Sequence, residues 1–182
     1  MTSLAALVLL AAMAASGAQI APLKVPVGAR ATSGRISAGI CTPLERRFNQ
    51  RLATLFDVTD PLDLLGNTRG IYLGGFGAVF SAEVSLVTTP SITPFRSTIS
   101  KDVADSIRQK KIQRLPFLKN VMKEMMHNMA ATLVQVPDNE QMVLVVRFYY
   151  EPWEDMNGMP GQVLMRASRK DALAGNIQVE EQ

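Results

Sequence analysis

The stretch RGIYLGGFGAVFSAEVSLVT, residues 69–88, decides the fold class of this chain. In its second half apolar and polar side chains alternate, which is the two-residue period of a strand with one buried face. The apolar set consists of Phe80, Ala82, Val84 and Leu86. A shorter strand is predicted at residues 71–73, and the glycines at 74, 75 and 77 permit a tight turn between the two strands. The stretch therefore predicts a β-hairpin.

The same glycines also invite comparison with a phosphate-binding loop. GGFG lacks the Lys-Ser/Thr pair of such a loop, and a strand follows it where a nucleotide loop would open a helix. We therefore favour a structural turn.

A second hairpin is predicted near the C-terminus. QMVLVVRFYY, residues 141–150, is apolar on both faces, which is typical of a central strand. The loop EPWEDMNGMPGQ leads from it to QVLMRAS, residues 162–168, the predicted antiparallel partner. RKDALAG predicts a short helix closed by Gly175, and Ile177 with Val179 predict an edge strand.

Two helical regions complete the predicted fold. TPLE predicts a helix start, with Thr42 as N-cap and Glu45 completing a capping box, and this helix is expected to run to about Phe56. Ser100 caps a second helical region, in which Pro116 predicts a kink or break near residues 113–115. The fold class is α+β. We expect an antiparallel sheet of four or five strands from two hairpins, with the N-terminal helix and a Pro-kinked central helical pair packed on one face.

The first eighteen residues have the character of a signal peptide. They carry no charged side chain and run apolar from Leu4 to Ala15, which is too short to span a membrane. Ser16 and Ala18 form a small-x-small cleavage site, although the missing basic n-region leaves an uncleaved anchor as the alternative. The sequence thus predicts a signal peptide at 1–18, a flexible tether at 19–41 and one domain at 42–182. It predicts export to the periplasm or beyond, with no transmembrane span in the mature chain.

Three segments resemble a pattern found in uncharacterised exported proteins of acidobacteria and similar soil bacteria. They are IYLGGFGAVFSAEV, PDNEQMVLVVRF and MRASRKDAL. The shared pattern is a Gly-x-Gly-x-x-Phe strand, a helical middle and two further strands, and it covers about residues 69–175. The family has no assigned activity, so the resemblance implies export and an α+β fold but no functional residues.

The single cysteine, Cys41, excludes an intramolecular disulfide. We favour an inert small residue near a helix start over an intermolecular bridge or a reactive thiol. The net charge of +3 is too small to indicate nucleic-acid binding.

Two stretches are candidate binding surfaces. The basic cluster on the central helix could contact lipid headgroups or another anionic envelope surface, although a solvated helix face is the more common meaning of such a run. Its members are Arg108, Lys110, Lys111 and Arg114. Trp153 and Glu154 lie in the loop after the central strand, where Trp153 either forms an exposed recognition loop or folds back over the sheet.

The methionine-rich stretch VMKEMMHNM, residues 121–129, raises the question of a metal site. On a helical wheel its methionines share the face of the neighbouring leucines, while His127 falls on the polar side. That favours core packing. The alternative is a Cu(I) site formed by Met156 and Met159, with His127 as a further candidate ligand, because thioethers are soft ligands.

Three function classes follow. The favoured one is a non-catalytic exported interaction module without a cofactor, whose partner is an envelope or periplasmic protein. The second is a copper-binding protein. The third is a hydrolase, which is disfavoured because His127 has no evident catalytic partners and neither Gly-x-Ser-x-Gly nor His-Glu-x-x-His occurs.

Overall fold

Helices cover one face of a mixed β-sheet in the computed structural model, which describes residues 38–95 and 98–182. The predicted signal peptide and the predicted tether up to residue 37 lie outside the described residues. Within these two ranges, none of the helices combines the length and hydropathy needed to cross a bilayer. The elements are a 3-10 helix (Ala38–Cys41), α1 (Thr42–Ala53), β1 (Asp63–Leu64), β2 (Arg69–Leu73), β3 (Gly77–Ser85), α2 (Lys101–Thr132), β4 (Gln141–Phe148), β5 (Gln162–Ser168), α3 (Arg169–Ala174) and β6 (Gln178–Glu181).

The predicted α+β class and the N-terminal helix are confirmed, and a helix lies in the central region as expected. The strand order is β1-β3-β4-β5-β6, and β2 also pairs with β3. All neighbouring strands are antiparallel except β3 and β4, which run parallel from Gly77 opposite Gln141 to Val84 opposite Phe148. The sheet is therefore mixed, where the sequence predicted an antiparallel one. The physical reason is the connection, because α2 carries the chain back to the starting end of β3 and parallel strands need such a crossover.

The central helix also differs from its prediction. α2 runs without interruption through Pro116, where a kinked helical pair was expected. Pro116 lies on the exposed side of the helix. The carbonyl that loses its amide partner there can be hydrated, and the buried side keeps its packing.

The start of α1 is a second correction. Thr42 was predicted as the N-cap, but it is the first residue of the helix. The N-cap is Cys41, whose side chain makes no capping hydrogen bond. Glu45 closes no capping box, since its Oε1 accepts a hydrogen bond from the amide of Gly70 in β2 at 2.7 Å. The helix ends at Ala53, earlier than predicted. Residues 38–41 were predicted as the end of the tether, but they form the 3-10 helix. Burial of Cys41 at the end of this helix raises the pKa of its thiol, and the negative charge of Glu45 raises it further.

The core lies between the helices and one face of the sheet. Met122, Met125, Met126 and Met129 of α2 are all buried, which confirms their predicted core position. The even-numbered residues of β3 and β4 face them, including Phe80, Ala82 and Val84 of the predicted alternation. The odd-numbered residues of these strands point to the opposite face of the sheet.

A buried carboxylate fixes the first hairpin to the start of β4. Glu140 accepts hydrogen bonds from the hydroxyl of Tyr72 at 2.9 Å and from the amide of Gly75 at 3.1 Å. The carbonyl oxygen of Phe76 accepts from the amide of Gln141 at 2.7 Å. The turn of the hairpin is thereby held against the first residue of the central strand.

Candidate functional site

The two binding stretches predicted from the sequence meet in the structure. Lys111 of α2 and Glu154 of the loop after β4 form an ion pair of 2.7 Å, with side chains only 1% and 6% exposed. The Lys111 ammonium also lies 4.6 Å from the ring centroid of Tyr150. Glu154 accepts a further hydrogen bond from the amide of Glu151 at 2.9 Å.

Two arginines of the basic run also hold loops against α2. Arg108 donates to the carbonyl oxygen of Asn157 at 2.6 Å and lies 3.8 Å from the Asp155 carboxylate. Arg114 donates to the carbonyl oxygens of Asp60 and Leu86, each at 2.7 Å. The run thus binds the chain's own loops, and a lipid or envelope surface would have to compete with these contacts.

The fourth basic residue and the tryptophan complete this region. Lys110 pairs with Asp60 at 3.1 Å and remains half exposed. Trp153 is half-buried, and its indole Nε1 is buried without a hydrogen-bond partner among the described residues. Trp153 is therefore neither fully exposed nor fully covered.

The phenol of Tyr150 gives this region a measurable pH dependence. It donates to the carbonyl oxygen of Pro160 at 2.8 Å, and burial, with a smaller contribution from the charge of Glu154, raises its pKa from 10.0 to about 12. Because the folded chain holds this proton more tightly than the unfolded chain, the resulting stability is complete below pH 10 and is lost as the pH rises towards 12.

We therefore expect Tyr150→Phe to lose less stability than the wild type as the pH rises. Urea unfolding at about pH 9 and about pH 11 measures this difference, and the comparison between the two proteins cancels the titration of other groups. If the free energy of unfolding falls by the same amount in both proteins between these pH values, the raised pKa of Tyr150 is contradicted.

The residues proposed for copper do not all come together. Met156 and Met159 lie in one turn, in which the amide of Met159 donates to the carbonyl oxygen of Met156 at 2.9 Å. His127 is exposed on α2, about 28 Å along the helix axis from Arg108, which contacts this turn. Across residues 38–95 and 98–182, no group of three or more His, Cys, Asp and Glu side chains is placed to hold a metal ion. Copper binding by the two methionines stays a prediction.

The sheet face opposite the helices is a candidate site that was not among those predicted from the sequence. Strand register places five aliphatic side chains side by side on it, none of them fully buried. The buried residues of α1 and most of those of α2 belong to the core on the other face of the sheet. We call the set the open-face stripe, and it consists of Ile71, Val79, Val143, Val145 and Leu164.

Two clefts border the open-face stripe. The larger, of about 490 Å³, is lined by Val143 and Leu164 of the stripe and by Phe76, Arg166 and Gln178. Arg166 donates to the side-chain oxygen of Gln178 at 3.0 Å. Polar donors thus stand beside an apolar surface, which is the usual composition of a binding site.

The smaller cleft, of about 230 Å³, lies towards β1 and β2. Arg69, Ser81, Glu83 and Arg147 line it from three adjacent strands. It is more polar in its side chains than the larger cleft, and it touches the stripe because Ser81 pairs with Val145.

The sequence contained a signal for this face, but the signal was ambiguous. Val143 and Val145 make β4 apolar on both faces, which indicated a strand buried on both sides. In the structure only the even-numbered face is fully buried.

A comparison of the chain with protein-family models, curated proteins and solved structures found no match.

Proposed function

We propose that this protein is a non-catalytic interaction module that binds a polypeptide segment on the open-face stripe and its two clefts. The observation that carries the proposal is the register of Ile71, Val79 and Val143, which lie directly beside one another on three strands, with Val145 and Leu164 in the next row. Ile71 is exposed and the other four side chains are partly exposed, so the stripe is a contiguous apolar surface that solvent reaches, which is characteristic of interaction sites.

The shape of the face favours a polypeptide over a small molecule. The stripe extends from β2 to β5, which is about 14 Å at the usual spacing between strands. Both clefts are open to solvent, whereas small-molecule sites enclose most of the ligand surface. A strand or an amphipathic helix laid across the face would cover the stripe.

The setting we propose for this binding is the bacterial periplasm or the cell exterior, with an envelope or periplasmic protein as the partner. Support comes from the sequence, in the uncharged apolar leader at residues 1–18 and the resemblance to exported proteins. The basic run on α2 is a weaker docking surface than the sheet face, because Arg108, Lys111 and Arg114 already have partners within the chain.

The test is a selection of random dodecapeptides against the purified full chain, followed by affinity measurement of the enriched peptides. The stripe variant is Val143→Thr with Val145→Thr, which keeps β-branched side chains and removes apolar surface. We expect it to weaken binding by about tenfold, because the variant lacks two methyl groups that a bound peptide would bury. The matched control is Val58→Thr with Val134→Thr, since both valines are exposed and lie outside the sheet.

Two results would overturn the proposal. One is the absence of any enriched peptide relative to a blank support. The other is enriched peptides that bind the stripe variant and the control variant equally well.

A further inference from the structure

Two arginines lie on either side of β3 on the open face of the sheet, offset by two residues along the strand. Arg69 of β2 pairs with Ser81 of β3, and Arg147 of β4 pairs with Glu83 of β3. Ser81 and Glu83 are separated by one residue and therefore point to the same face. All four side chains line the smaller cleft, which we call the two-arginine cleft.

Neither Arg69 nor Arg147 has a partner in the part of the chain that the structure describes. No hydrogen bond or ion pair involves either guanidinium there. Arg166 on the same face is different, because it pairs with Glu180 at 3.3 Å and with Gln178 at 3.0 Å. Each guanidinium of the two-arginine cleft therefore keeps its donors for a ligand, and these donors match a carboxylate in a planar, bidentate arrangement.

Glu83 limits what the two-arginine cleft can accept. Its carboxylate lines the same cleft and makes no ion pair with Arg69, Arg147 or any other described residue. The three charged side chains leave the cleft with a net charge of +1. That balance suits a single negative charge, whereas the second charge of a phosphate monoester would lie against Glu83.

The open-face stripe defines the rest of the ligand. Val79 lies two residues from Ser81 on β3, and Val145 is the direct partner of Ser81 on β4. An anion in the two-arginine cleft is therefore next to apolar surface. A free ion would leave that surface exposed, whereas an anion attached to an apolar body would cover it.

We propose that the two-arginine cleft binds a carboxylate of the docked polypeptide, so that partners present an acidic group beside apolar side chains. The inference rests on the proposed function, because the apolar part of the ligand lies on the open-face stripe. A side-chain carboxylate and a C-terminal carboxylate have the same chemistry at this site.

The experiment uses two small probes that differ only in charge. N-acetyl-leucine carries a leucine side chain beside a carboxylate, and N-acetyl-leucinamide replaces the carboxylate with a neutral amide. Each is titrated into the isotope-labelled full chain, and dissociation constants are obtained from NMR shifts. We expect the acid to bind about threefold to fivefold more tightly than the amide, since the arginines are exposed.

Four variants separate the roles of the charges. Arg69→Gln and Arg147→Gln should each weaken binding of the acid towards that of the amide, and Glu83→Gln should strengthen it. Arg46→Gln is the matched control, because Arg46 is an exposed arginine on α1 without a partner in the described chain and lies away from the sheet. It should leave the affinity unchanged.

The proposal is overturned if the acid does not bind, if acid and amide bind equally, or if the Arg69 and Arg147 variants behave like the Arg46 variant. Equal binding of acid and amide, both weakened in the stripe variant, would leave the proposed function standing and reject only the carboxylate site. Selected peptides that ignore the open-face stripe would reject the proposed function itself.

Discussion

Gly77→Ala is expected to destabilise the protein by more than about 4 kcal/mol, the range in which single substitutions are exceptional. A Cβ at this position would lie 1.9 Å from the carbonyl oxygen and 2.6 Å from the amide nitrogen of Gln141. The φ angle of 133° is also one that a residue with a side chain rarely adopts. Relief of the overlap would require β3 and β4 to separate at the start of their parallel pairing, which begins at these two residues.

The matched control for this change is three residues away. Gly74 lies in the same turn region and has no positive φ, and a Cβ added to it would meet no other atom within 4 Å. Gly74→Ala should therefore change the free energy of unfolding by less than about 1 kcal/mol. Urea unfolding followed by circular dichroism compares the two variants. If Gly77→Ala does not fold, a far lower soluble yield than that of Gly74→Ala gives the same answer, and similar stabilities would contradict the close approach.

Loss of either partner in the Lys111–Glu154 pair should cost about 3–5 kcal/mol, because the remaining charge would be buried without its counter-charge. Lys111→Met leaves the buried Glu154 carboxylate without its cation, and Glu154→Gln leaves the buried Lys111 ammonium over the ring of Tyr150. The double variant should cost much less than the two single variants together, since neither charge remains. Urea unfolding of all four proteins gives the coupling free energy.

An exposed ion pair of the same kind provides the comparison. Arg51 and Glu124 lie 3.2 Å apart with side chains 43% and 55% exposed. Arg51→Met should cost less than about 1 kcal/mol, because solvent screens the pair. If the Lys111 and Glu154 variants cost no more than Arg51→Met, the pair does not have the burial that the structure gives it.

Local patterns in the sequence were sufficient for most elements of the fold. The alternation in β3 identified the correct buried face, and the wheel placed Met122 and its neighbours in the core. Gly175 ends α3 in the left-handed conformation that its position predicted. These features depend on residues close together in the chain, so periodicity and turn chemistry report them directly.

The features that were missed depend on distant residues. The parallel pairing of β3 with β4 follows from the path of α2, which no pattern within either strand encodes. Pro116 is tolerated because it faces outwards, and only the packing of the whole helix decides that.

The candidate sites show the same division between local and distant information. Lys111 and Glu154 were each singled out as binding residues, but their pairing across 43 positions was not foreseeable. Arg69 and Arg147 were not singled out, because each is an ordinary charged residue within its own strand. Their convergence depends on two strand registers that the sequence does not state.

The length of α2 has a mechanical consequence. At 32 residues the helix is about 48 Å long, whereas the nine residues of β3 extend about 30 Å. The helix is therefore longer than the strand, and in its N-terminal third only Ile107 and Lys111 are buried. Loops are held against this part of the helix. Arg108 and Lys111 contact the loop after β4, and Arg114 donates to the carbonyl oxygens of Asp60, before β1, and Leu86, after β3. Polar contacts thus hold the N-terminal part of α2 in place, whereas buried methionines anchor its C-terminal part in the core.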